Sequence, residues 1–213
     1  MIAVIDYGAG NTRSVLRALT AVGGVARLVS SPEGLAGAER LVLPGVGRAG
    51  SAVTAMRAHG LWEPVREWAS AGRPFLGVCL GAQLLLDASD EDDAEGLGVI
   101  AGRTRAFPPA SAGGPRTQPH IGWNAVELRS GAVADAYFVH GFYPDPNDSA
   151  AVVGTTEVDG FRFPSLIRAG SMTATQFHPE KSGPFGRALL AGFVTGLLDA
   201  APVAATAGGR GWS

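Results

Sequence analysis

The sequence predicts an α/β fold with a largely parallel central sheet, helices on both faces and antiparallel strands added in the second half. Over the first ninety residues, short apolar runs alternate with stretches of helical spacing, the pattern of strand-helix-strand units. Beyond residue 96 the pattern becomes strand-like and rich in turns. The 213 residues suit one large domain, expected over 1–199, followed by a disordered tail over 200–213.

In chain order, "IAVID" (2–6) reads as a buried first strand. Val15, Leu16, Leu19 and Val22 then recur at helical spacing behind the possible caps Asn11 and Thr12, and Gly23-Gly24 ends the helix. "VARLV" (25–29), "RLVLP" (40–44) and "PFLGVC" (74–79) are the next strands, with helical stretches at 50–58 and 61–70 broken at Gly60. The acidic run "DASDEDDAEG" (87–96) lacks the spacing of a calcium loop and is expected to be a solvated loop. The later strands are placed in "GLGVIAGRTRAF", "GWNAVEL", "AYFVHGFY", "AAVVGTTEV", "PSLIRAG" and "TATQFH", laid against the parallel sheet. A Pro/Gly loop falls at 108–116 and a last helix at about 184–199.

A formal net charge of -2, without a lysine-rich segment, gives no footprint for nucleic acid or a membrane surface, so the expected partners are small molecules or proteins. The amino terminus "MIAVIDYGAGN" has neither a basic leader nor a membrane span, and a cytoplasmic location is expected. A single cysteine allows no internal disulfide and no cysteine-based metal cluster. Asn147-Asp148-Ser149 matches a glycosylation acceptor but reads as a turn. Gly8-Ala9-Gly10 fails as a dinucleotide fingerprint, because Arg13 stands at the third glycine position.

Three segments carry chemistry. Gly77-Val78-Cys79-Leu80-Gly81 is a Gly-x-nucleophile-x-Gly elbow with cysteine as nucleophile, entering a helix whose N-terminal dipole favours thiolate. Taken alone, a lone cysteine with apolar neighbours is equally a core residue. If "TATQFH" is a strand, His178 and Glu180 project to one side, so the carboxylate can orient an imidazole facing Cys79, although His-x-Glu by itself is commonly a surface pair. The glycine-rich turn of "LVLPGVGRAG" (41–50) exposes backbone N–H groups that, with that of Leu80, could bind an oxyanion, or is an ordinary turn. Lys181, the only lysine beside 16 arginines, follows directly. A compact ammonium there suggests a fit that a planar guanidinium would not make, tying the segment to the pocket rim or a partner.

Together "PGVG" (44–47), "GVCLGAQ" (77–83) and "QFHPEKS" (176–182) resemble, in that order, the oxyanion strand, nucleophile elbow and His/Glu motif of the class I (triad) glutamine amidotransferases, whose fold is flavodoxin-like. "DYGAGNTRSV" (6–15), "PHIGWN" (119–124) and "YFVHGFY" (137–143) are most similar to the glutaminase subunits of imidazole glycerol phosphate synthase, in histidine biosynthesis. The resemblance implies Cys79 as nucleophile, His178 as base and acid, and Glu180 as its orienter. It places Gly45, Val46 and Leu80 around the oxyanion, with the Val46 peptide needing reorientation in the active state. Gly47, Gln83, His140, Gly141 and Phe142 would line the glutamine pocket, and Asn11, Trp123 and Asn124 would lie toward a partner. That partner is a (β/α)8-barrel cyclase, which would receive ammonia and form imidazole glycerol phosphate and an aminoimidazole carboxamide ribotide. No cofactor or metal is implied.

Gly141 stands where the family usually has serine or threonine, Thr12 where an aliphatic residue is commoner, and the basic residue common before Pro119 is missing. The residues also leave room for a paralogue supplying another synthase, or for a silent interaction subunit, against which the intact Cys79, His178 and Glu180 argue. "PHIGWN" favours the histidine pathway over the related pyridoxal phosphate and anthranilate amidotransferases.

Overall fold

The computed structural model describes residues 1–109 and 119–197, so the expected tail and nearly all of the Pro/Gly loop lie outside the described residues. The parallel half forms from the apolar runs read above. Strands β1 (Ile2–Ile5), β2 (Ala26–Val29), β3 (Arg40–Gly45) and β4 (Phe75–Cys79) alternate with helices α1 (Thr12–Ala21), α2 (Ala49–Ala58) and α3 (Trp62–Ser70). β1 pairs in parallel with both β2 and β3, and β3 with β4.

Strand alternation sorts the core into two layers. Ala3, Ile5, Leu41, Leu43 and Phe75 face α2 and α3, meeting Met56, Trp62, Val65 and Trp68. Ile2, Val4, Val42, Leu76 and Val78 face the other way, toward Val15 and Leu19 of α1 and toward Leu189, Leu190 and Phe193 of α5 (Gly183–Thr195). Helix α5 ends at Thr195, four residues earlier than expected, where Gly196 takes a left-handed φ of 78° and the Leu197 N–H closes onto the Gly192 carbonyl.

The antiparallel strands extend the parallel sheet in its own plane instead of lying against it. β7 (His120–Leu128), β8 (Val133–His140), β10 (Val152–Val158), β11 (Phe161–Ala169) and β12 (Met172–Thr175) complete a nine-stranded sheet of order β2-β1-β3-β4-β12-β11-β10-β7-β8. The joint is β12, parallel to β4 and antiparallel to β11. "AYFVHGFY" is two strands, because the chain leaves the large sheet at Gly141 and enters a three-stranded sheet as β9 (Phe142–Pro146), beside β6 (Gly102–Ala106), which also pairs with β5 (Ala88–Ser89). Asp148 accepts from the Ala150 N–H and caps a short 3-10 turn, as the turn reading of Asn147–Ser149 expects.

Two expected segments differ in detail for non-local reasons. The helix after Cys79, α4 (Leu80–Gln83), is a single turn, since the carbonyls of Leu84, Leu85 and Leu86 accept from the N–H groups of residues 97–100 instead of continuing a helical ladder. The acidic run is not a free solvated loop. Glu91 accepts from the Ala49 N–H at 2.9 Å and so caps α2, Asp92 pairs with Arg48, and Asp90 and Asp93 bind Arg103 at 2.6 and 2.8 Å.

A Cβ on Gly81 would sit 1.8 Å from the Leu43 carbonyl oxygen, so α4 can approach β3 only through glycine. Gly81→Ala should destabilise the protein by about 3 kcal/mol or more, because backbone on both sides must move. Urea denaturation measures the difference.

Candidate active site

β1, β3 and β4 run parallel, so their C-terminal ends share one edge of the sheet, where open α/β folds place ligand sites. Cys79 ends β4 with φ 55° and ψ -111°, a strained conformation for a side chain that is not glycine. A Cβ on Gly77 would lie 2.7 Å from the Gly81 carbonyl oxygen, so the turn on both sides of the cysteine requires glycine. The elbow aims the thiol into a cleft of about 270 Å³, although the residue is only 6 % exposed.

Three groups surround the sulfur. Sγ lies 3.6 Å from the Val139 carbonyl oxygen and 3.6 Å from Gln176 Nε2, and it interacts electrostatically with the His178 side chain. Because α4 is only four residues long, it is a weak source of helix dipole. The amide of Gln176 and the imidazole of His178 are the polar side chains beside the sulfur. Gln176 lies inside the "QFHPEKS" motif, yet its spacing from the histidine carried no separate signal in the sequence.

His178 and Glu180 meet, but not by the strand alternation expected. β12 stops at Thr175, and Pro179–Lys181 form a 3-10 turn. Pro179 has no N–H to continue a ladder. The turn is pinned by β8: the His178 N–H donates to the Tyr137 carbonyl at 2.9 Å, the Tyr137 N–H to Ser182 Oγ at 3.0 Å, and Ser182 Oγ to the His178 carbonyl at 2.6 Å. Inside it, His178 Nδ1 lies 2.9 Å from Glu180 Oε1, both side chains buried, which leaves Nε2 for the thiol. Asn11, expected toward a partner, also turns its Nδ2 to Glu180 Oε1, at 3.2 Å, instead of capping α1.

Burial lowers the His178 pKa, but hydrogen bonds and charge interactions with Cys79 and Glu180 outweigh it and raise the value from 6.5 to about 10. The arrangement can thus hold an imidazolium between a sulfur and a carboxylate. The Tyr7 hydroxyl, buried without a hydrogen-bond partner, has its pKa pushed up by burial and by the charges of Cys79 and Asp6.

The turn after β3 forms the opposite wall. Gly45 pairs in register with Cys79, and a Cβ there would lie 2.8 Å from Leu80 Cβ and 2.9 Å from the Gly81 nitrogen. Val46, Gly47 and Leu80 line the cleft, and Gly47 takes a φ of 88°. Gln83, His140, Gly141 and Phe142 form its far side, with Gln83 Nε2 donating to the Phe142 carbonyl at 3.0 Å and to Gln176 Oε1 at 2.9 Å. A Cβ at Gly141 meets nothing within 4 Å, so the serine or threonine usual in the family would fit. Lys181 reaches the cleft rim, its Nζ 5.4 Å from the centre of the Tyr137 ring.

Trp123 is 59 % exposed, as is Ile121, and across β8 they pair with Tyr137 and Val139. Asn124 is on the opposite face of β7, because neighbouring strand residues alternate, and its Nδ2 is bound inside the protein to His120 and to the Glu157 carbonyl. Among the described residues, no group of three or more His, Cys, Asp or Glu could hold a metal, and no helix is long and apolar enough to cross a membrane.

Above an unperturbed value of 6.5, a raised His178 pKa means that the protonated side chain stabilises the fold fully below about pH 6.5, and that this stability is lost as pH rises through about 10. Glu180→Gln removes the buried carboxylate partner and should cost about 3 kcal/mol near pH 6.5, shrinking toward pH 10. Denaturant midpoints of both proteins across that range test the sign.

Residues 3–197 match the family described as Glutamine amidotransferase class-I. The chain is 39% identical over 213 residues to a protein of Synechococcus sp. named imidazole glycerol phosphate synthase subunit HisH, covering 96% of each chain. It is 41% identical to a protein of the same name from Nitratidesulfovibrio vulgaris, covering 94% of this chain and 99% of that one. A solved glutamine amidotransferase shares the fold with a TM-score of 0.67, at 22% identity over 84% of this chain and 91% of the other. By its sequence and by the architecture of its cleft, the chain belongs to the class I glutamine amidotransferases, in the branch whose curated members are named imidazole glycerol phosphate synthase subunit HisH.

Proposed function

We propose that the chain hydrolyses glutamine at Cys79 and delivers the ammonia to a (β/α)8-barrel cyclase, the two together forming imidazole glycerol phosphate and an aminoimidazole carboxamide ribotide. The observation that carries the chemical half is a strained thiol facing a buried His178–Glu180 pair in one cleft. His178 Nε2 takes the thiol proton, and Sγ attacks the side-chain amide carbon of glutamine. The tetrahedral oxyanion is bound by the N–H groups of Leu80 and Val46, with Gly45 allowing the close approach. His178 returns the proton to the departing nitrogen, and ammonia leaves behind a thioester. Water, deprotonated by His178, then attacks the thioester; glutamate departs and the thiol is restored. Glu180 holds the imidazole with Nδ1 protonated throughout.

The partner half rests on the strip of exposed Ile121, Trp123 and Val139 with half-buried Tyr137, beside Lys181, whose apolar and aromatic character fits the core of a protein interface. The same strip borders the cleft through Val139. Direct transfer between the two proteins keeps ammonia from protonation in bulk water. A cytoplasmic site of action belongs to the same reading.

Glutamate release, measured with and without the barrel and its nucleotide ligand, should be slow alone and much faster with both, and equal rates would refute the coupling. Cys79→Ala should lower glutamine-dependent turnover by about a thousandfold or more while the barrel still uses free ammonia. Lys181→Arg keeps the charge but loses the compact head, and should lower the partner-stimulated rate more than the basal rate.

A further inference from the structure

The proposed chemistry leaves one part-buried polar row unused. His120 on β7 stands directly opposite His140 on β8, and His120 Nδ1 lies 3.0 Å from His140 Nε2. The other nitrogen of His120, Nε2, is 3.3 Å from Asn124 Nδ2, and the ring stacks on Phe138 at 5.0 Å between centroids. His140 Nδ1 in turn lies 2.7 Å from the Phe142 carbonyl oxygen, the same oxygen that receives Gln83 Nε2 at 3.0 Å.

Only one arrangement of hydrogens satisfies the row. The Phe142 carbonyl can only accept, so His140 carries its hydrogen on Nδ1. Burial pushes the His140 pKa down to about 3 and lowers that of His120 as well, so both rings are neutral near pH 7. His140 Nε2 is then an acceptor, and His120 must donate from Nδ1. His120 Nε2 is left to accept from Asn124, whose amide fixes the sequence at its outer end.

We propose that His120 is a positioning residue for the glutamine pocket: by holding His140 in its Nδ1–H form, it fixes the Phe142 carbonyl and, through it, the Gln83 amide that lines the cleft. This rests on the reading of the cleft as a glutaminase site. Without His120, the His140 hydrogen is free to move to Nε2. Nδ1 and the Phe142 oxygen would then face each other as two acceptors, and the carbonyl would turn away, taking one of the two acceptors of Gln83 Nε2 with it.

The test is steady-state glutamate release by the full chain over a range of glutamine concentrations, with the barrel present. His120→Phe keeps an aromatic ring on Phe138 but cannot donate, and should raise KM for glutamine about tenfold with kcat changed less than about threefold. His120→Asn gives up the ring but can place an amide N–H near the Nδ1 position, and should bring KM back to within about threefold of the parent. A merely structural role predicts the reverse order, with the ring-bearing variant the better one. A parental KM in His120→Phe, or failure of His120→Asn to restore it, would overturn the proposal. Should His120→Phe not fold, His120→Gln puts its amide at the Nε2 position, reaching Asn124 but not His140, and must show the same rise in KM; a parental value refutes the assignment. A parent protein that releases no glutamate defeats the glutaminase reading itself, whereas an active parent with unaffected variants defeats only the role of His120.

Discussion

The left-handed backbone of Cys79 is held by contact from two directions, and the cleft depends on that hold. From below, Gly81 presses its Cα against the Leu43 carbonyl so closely that no side chain fits. From the side, Gly45 at the end of β3 meets Leu80 and the Gly81 nitrogen. A strained φ of this kind costs about 1–3 kcal/mol and persists only where the surroundings over-determine it. Here the surroundings are the parallel β3–β4 pair itself, so the thiol and the turn that faces it are fixed by one set of contacts.

The histidine side of the cleft is built differently. It is a turn, not a strand end, and its geometry comes from backbone groups of β8 and from Ser182. The turn carries a cost of its own, for Glu180 Oε2 is buried without a hydrogen-bond partner, a penalty of about 1–3 kcal/mol in an ordinary interior. The charge interaction with His178 opposes that penalty, which ties the stability of the turn to the proton on the imidazole.

Much of this was legible in the residues. The parallel half follows from apolar runs and helical spacing that are local properties, and the elbow from two glycines that permit a tight turn. What escaped the sequence depends on partners distant in the chain. The helix expected after Cys79 stops after one turn because segment 97–100 takes the carbonyls of Leu84–Leu86. The acidic run looked solvated because nothing in its own composition points to Arg48, Arg103 or the start of α2. The resemblance places both Trp123 and Asn124 toward a partner, and one step along the strand puts them on opposite faces. Gln176 and His120 carry no signal of their roles in the sequence, since their value lies in the atoms they touch across the sheet.

The chain crosses from the large sheet to the small one at Gly141, on the rim of the cleft. On one side of that crossing, β8 carries the strip with Tyr137 and Val139, and the Val139 carbonyl touches the sulfur. On the other side, β9 begins with Phe142, whose carbonyl anchors Gln83. A single residue without a side chain thus joins the strand that carries the outer strip and touches the sulfur to the strand that anchors Gln83.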